Sequence, residues 1–155
     1  MDFADFDLKT ASEAGTWLHL DLDGPLYMQP DKTIGHAKTE KPCRVKLRGL
    51  VSSGVLDMIQ KIERLEMAHQ ARLGRAKDKE IEALVQRHQN ATLETMEKLI
   101  VAAVAEWENI IEGGKPVEVA PENVLRILGP RRMFFQQVYE AILERRRFLK
   151  NAAQV

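Results

Sequence analysis

The stretch CRVKLRGLVSSGVLDMIQKIERL, residues 43–65, decides the fold. In its first half Cys43, Val45 and Leu47 alternate with Arg44, Lys46 and Arg48. A period of two gives a strand one buried and one basic face. At Ser52-Ser53 the period switches. Val55, Met58, Ile59, Ile62 and Leu65 follow at helical spacing, which draws one apolar stripe along a helix. Serine suits the switch point, because its hydroxyl accepts from the orphan N–H groups of a helix's first turn.

Upstream, Asp7–Ala14 reads as a short helix stopped by Gly15. Trp17 to Leu22 reads as a strand that ends at Asp23-Gly24. An Asp-Gly pair beside apolar residues signals a hairpin, since glycine accepts the positive φ of a tight turn. Leu26-Tyr27-Met28 is then the expected return strand, and Pro25 is confined to the turn or an edge. Residues 29–42 form a polar loop.

Downstream, the first stripe thins after Leu65, and Gly74 with the charged residues 75–80 marks a connection. A second stripe runs Ile81, Leu84, Val85, His88, Met96, Leu99, Ile100, Ala103, Val104, Trp107 and Ile110. It predicts a long helix over 78–111, bent near Gln89–Thr92 where helix propensity dips. Gly113-Gly114 is expected to end it. Residues 115–119 read as extended, and Pro121 opens a helix to Leu128, its missing N–H being an orphan at that position anyway. A last helix is expected over 131–151. The whole predicts an α+β fold, mostly α-helical. A small N-terminal antiparallel sheet, a hairpin plus one strand, precedes about four helices. The 155 residues fit a single domain with three parts: β-rich 1–51, long helices in 52–112, and helical 113–155.

Composition excludes several function classes. One cysteine leaves no intrachain disulfide framework and no multi-cysteine zinc site, and it fits a reducing cytoplasm. No apolar run approaches the ~18–20 residues of a membrane span. The acidic start resembles neither a secretory signal nor an Arg-rich transit peptide. Lys and Arg number 23, as do Asp and Glu, so bulk charge gives nucleic acid nothing to hold. The zero hides a gradient: residues 1–31 carry seven acids and one base, whereas 126–155 carry seven bases and two acids.

No catalytic, cofactor or metal constellation stands out. Asp21-Leu22-Asp23-Gly24 could open a calcium loop, but the twelfth residue is Lys32 where such a loop needs Glu. His19, His36, His69 and His88 are scattered, and His88 on the apolar stripe reads as a core histidine. Ser52-Ser53-Gly54 lacks the glycines of a nucleophile elbow. Cys43 beside Pro42 reads as a packed small hydrophobe. Arg145-Arg146-Arg147 is the sharpest charge run. It reads as the solvated end of a helix, as a contact for an acidic protein partner, or as a nucleic-acid contact without a reading motif. Arg145, Arg146, Arg147, Phe134 and Phe135 are the candidate partner-binding residues, since arginine and aromatics are enriched at interface hot spots.

Two stretches together resemble the tail assembly chaperones of long-tailed bacteriophages. One is Ala14-Gly15-Thr16-Trp17-Leu18-His19-Leu20 with Asp23-Gly24-Pro25-Leu26-Tyr27 and the 42–50 strand. The other is Trp107-Glu108-Asn109-Ile110, Gly114-Lys115-Pro116-Val117, Pro121-Glu122-Asn123-Val124 and Phe148-Leu149. In that family a Trp near a helix end precedes a Gly-x-Pro turn, an extended segment and a Glu-Asn helix start. The resemblance implies that Trp107, Pro116 and Pro121 are structural anchors. Many members carry Ser or Thr before that start, where this chain has Ala120, and a missing cap hydroxyl costs ~1 kcal/mol. The implied job is non-enzymatic and needs no cofactor. Such proteins bind the long helical tape-measure protein, and tail-tube subunits, in the host cytoplasm, and are absent from the finished virion. A structural tail component or a self-assembling homo-oligomer is the alternative, and a nucleic-acid-binding regulator a more distant one.

Overall fold

The strand-to-helix switch at residues 43–65 lies at the centre of the molecule, seen in a computed structural model that describes residues 7–149. β1 (Thr16–His19) and β4 (Arg44–Leu47) pair antiparallel, Leu18 opposite Val45. The second edge of β4 is taken by β5 (Val104–Glu108), Val45 facing Trp107, so the sheet order is β1-β4-β5. Leu18, Val45, Leu47 and Val104 are buried beneath it. Its other face is charged and aromatic: Arg44 lies 4.2 Å over the Trp17 ring and its Nε donates to Glu108 at 2.7 Å.

α2 (Ser53–Leu73) and α3 (Asp78–Ala103) form an antiparallel pair beyond the sheet. Leu99, Ile100 and Ala103 at the α3 base are fully buried with Val55 of α2. α4 (Pro121–Leu128) and α5 (Phe135–Leu143) close the same core with Val124, Leu128, Val138 and Ile142. All three expected parts of the chain contribute to it. α1 (Leu8–Ala14) packs against α6 (Arg145–Phe148), and two-residue strands pair as β2 (Tyr27–Met28) with β3 (Ile34–Gly35) and β6 (Ile111–Glu112) with β7 (Lys115–Pro116). The fold is mixed α+β and mostly helical.

Several elements differ from expectation, each for a local reason. Asp23-Gly24 does turn, with φ of 56° and 134°, but it closes only an isolated Asp21–Pro25 bridge. Pro25 has no N–H to continue a ladder. Tyr27-Met28 therefore pairs with Ile34-Gly35, and no return strand joins the main sheet. The expected 78–111 helix ends at Ala103. Val104 and Trp107 do fit a helical stripe, but Glu106-Trp107-Glu108 also alternates out-in-out, and β4 offers a free ladder edge. α3 runs through Gln89–Thr92 without interruption, and α2 continues past Leu65 to Leu73.

Gly113-Gly114 stops no helix. The pair is the two-residue turn of the β6–β7 hairpin, with φ of 56° and 77°. Both central residues of a type I′ turn require such positive φ. The expected 131–151 helix begins only at Phe135 and is interrupted once. Arg131 takes a left-handed φ of 70°, and Glu144 is extended between α5 and α6. Residues 150 and 151 lie outside the described region.

Ser52 precedes α2 but does not cap it with its hydroxyl, which donates to Gly49 O at 2.8 Å. Glu13 of α1 supplies the acceptor, its Oε1 lying 2.7 Å from Ser53 N and 2.9 Å from Ser53 Oγ. Those two donors hold the Glu13 carboxyl below the usual glutamate range. Gly49 permits this junction: an added Cβ would sit 2.7 Å from Ser12 Oγ and 2.9 Å from the Phe148 ring.

Candidate protein-binding surface

The excursion from β5 to α4 is built around one indole. Trp107 points inward from β5, half-buried, and its Nε1–H donates to Val117 O at 2.7 Å. Val117 N–H donates to Ile110 O at 3.0 Å, closing the base of the β6–β7 hairpin. Between β5 and β6, Asn109 adopts φ 60° and its Nδ2 donates to Pro42 O at 2.9 Å. Asparagine tolerates the left-handed region better than most residues. Ile110 and Ile111 are thereby held half-exposed.

An apolar cleft opens on each side of the Asn109–Ile111 segment. The first, about 200 Å³, is walled by Met28, Lys32, Trp107, Pro116 and Val117. The second, about 220 Å³, is walled by Leu20, Leu26, Ile34, Cys43, Ile127 and Phe134. Ile34, 42% exposed, stands at its lip. Beside the second cleft, Glu112 pairs with Arg126 of α4, and that guanidinium holds the Glu112 carboxyl below the usual range. Burial pushes the Cys43 thiol up, which suits a packing role and disfavours a thiolate nucleophile.

The expected site residues are divided by this geometry. Trp107, Pro116 and Phe134 border the clefts. Of the implied anchors, Trp107 hydrogen-bonds to Val117 at the hairpin base, Pro121 is the first residue of α4, and Pro116 is an exposed β7 residue at the cleft rim. Ala120 provides no side-chain cap. Phe135 lies away from the clefts, stacked on Tyr139 at 5.5 Å between ring centroids. Arg145 and Arg146 are exposed on α6, while Arg147 is half-buried with Nη2 3.4 Å from Glu144. α6 packs on α1, whose own charges, Lys9 and Glu13, balance.

Ile34, Ile110 and Ile111 were not singled out as surface residues from the sequence. The pattern Asn109-Ile110-Ile111-Glu112-Gly113-Gly114 carried the clue: paired β-branched residues before Gly-Gly mark a hairpin. Among the described residues no three His, Cys, Asp or Glu side chains gather as a metal-binding set, and no helix is long and apolar enough to cross a membrane.

Neither family models, nor curated proteins, nor solved structures give a match to this chain.

Proposed function

We propose that this chain is a non-enzymatic assembly chaperone whose clefts hold the apolar side chains of an amphipathic helix. What supports the reading is a single coincidence: Trp107, Ile110, Pro116 and Val117, which carry the resemblance to phage tail assembly chaperones, also wall one open apolar cleft. A helix presents apolar side chains at i, i+3, i+4 and i+7, and successive side chains of that stripe can enter neighbouring recesses. In this reading the partner is the tape-measure protein, engaged in the host cytoplasm and released before the virion is complete, with tail-tube subunits as the second partner.

A head-to-tail homo-oligomer, acidic start to basic end, is the second reading, motivated by the charge gradient along the sequence. Co-expression with the tape-measure protein tests the proposal. A soluble complex is expected. Equal insolubility of the tape-measure protein with and without this chain would refute it.

A further inference from the structure

A second cluster, unrelated to the apolar clefts, lies between α2 and α3. His69 of α2 and His88 of α3 stack face to face, ring centroids 4.0 Å apart and planes within 2°. Nineteen residues separate them in sequence, and only the antiparallel pairing of the helices joins them. They line a cavity of about 130 Å³ with Arg72 and Arg87, its remaining walls being Leu65, Leu84 and Ala91. That is the liquid volume of about four waters, enough for a tetrahedral oxyanion and too small for an organic cofactor.

Its charge is unbalanced. Neither Arg72 nor Arg87 has a carboxylate within ion-pair distance among the described residues. His69 is 8% exposed and forms no hydrogen bond to a described residue. Its imidazole stacks on His88 along one wall of the cavity. The nearby acid is Glu66, already engaged: its Oε2 lies 2.9 Å from His88 Nε2 and its Oε1 accepts from Gln70 Nε2 at 2.8 Å. Two guanidiniums and one engaged carboxylate leave the cleft cationic even with both imidazoles neutral.

We propose that the cleft between α2 and α3 binds a phosphate-sized oxyanion, gripped by the Arg72 and Arg87 guanidiniums and completed by His69 and His88. Guanidinium forks match the oxygens of such an anion, and charge-assisted hydrogen bonds are the strong ones. Glu66 and Gln70 from α2 and Arg87 from α3 are the other polar groups of the cluster.

The test is a titration of the full chain with inorganic phosphate at constant ionic strength, followed by calorimetry and by the ring resonances of His69 and His88. One saturable site is expected, with both rings shifting. Arg87→Gln is expected to weaken it about tenfold, as loss of one charge-assisted bond requires, and Arg72→Gln similarly. Both arginines are exposed, so the variants should keep the parent's melting temperature without phosphate. Absence of saturation, unmoved histidine resonances, or equal affinity in Arg87→Gln would each overturn the proposal.

Discussion

The α2–α3 pair and the 104–117 excursion begin from similar sequence patterns and end as different structures. Both carry apolar residues three or four apart. In α3 that spacing is honoured for 26 residues, and its exposed face is mostly polar, Ile81 being an exception. From Val104 onward the same spacing is overridden, because Glu-Trp-Glu alternates and the unpaired edge of β4 accepts a strand. The pair buries Val55, Leu99, Ile100 and Ala103, and leaves Met67 and Ile81 exposed. The excursion leaves Ile110 and Ile111 half-exposed beside two clefts. A periodicity says which residues share a face. Whether another element lies opposite decides what that face becomes.

The contrast can be broken at its strongest point first. Leu99, fully buried where α3 meets the sheet, should cost about 3–4 kcal/mol when changed to alanine, whereas half-buried Leu84 farther along the same helix should cost nearer 1. Urea unfolding of the two variants gives both numbers. Equal losses would mean that the outer half of the pair is packed as firmly as its base.

Trp107→Ala removes the inward side chain and the Val117 hydrogen bond together, and a loss of about 3 kcal/mol is expected. Trp107→Phe keeps most of the packing and leaves Val117 O unpaired, for about 1 kcal/mol. A near-zero effect of both in thermal unfolding would remove Trp107 as the anchor of the excursion.

A smaller effect separates turn from helix stop. Gly113 has open space where a Cβ would sit, so Gly113→Ala tests backbone strain alone, about 1 kcal/mol at its φ of 56°. Amide exchange should rise at Val117 and leave α3 unchanged. Had Gly113 merely ended a helix, α3 amides would respond instead.

Acid gives the smallest and most diffuse effect. Glu13, Glu108 and Glu112 are held below the usual glutamate range, by Ser53, Arg44 and Arg126 respectively. A depressed carboxylate stabilises the fold above its unfolded-state pKa and loses that contribution as pH falls through its folded pKa. Stability measured from pH 6 down to about 3 should therefore fall, and less steeply in Glu112→Gln.

The sequence was legible where local pattern and long-range environment agreed. The short helix before Gly15, the β4 alternation, the start of α2 and Pro121 at the opening of α4 needed no knowledge of neighbours. The β4–β5 pairing, between residues some sixty positions apart, carries no local mark beyond Glu-Trp-Glu. The break at Glu144 lets Phe148 bury beside Gly49, a contact of the same non-local kind. Of the site residues, Trp107, Pro116 and Phe134 reached the clefts, while Phe135, Pro121 and the arginines of α6 went elsewhere. The His69–His88 stack was invisible for the same reason: each histidine is ordinary on its own helix.

The central claim is that the excursion, and not the helical pair, engages a helical partner. Ile111 borders both clefts, and Met67 stands 74% exposed on α2. Co-expression of the tape-measure protein with Ile111→Glu or with Met67→Glu compares the two regions directly, each variant first shown to melt as the parent does. Ile111→Glu should lose the soluble complex, and Met67→Glu should retain it. A complex that survives Ile111→Glu and fails with Met67→Glu would place binding on the helical pair and contradict this account.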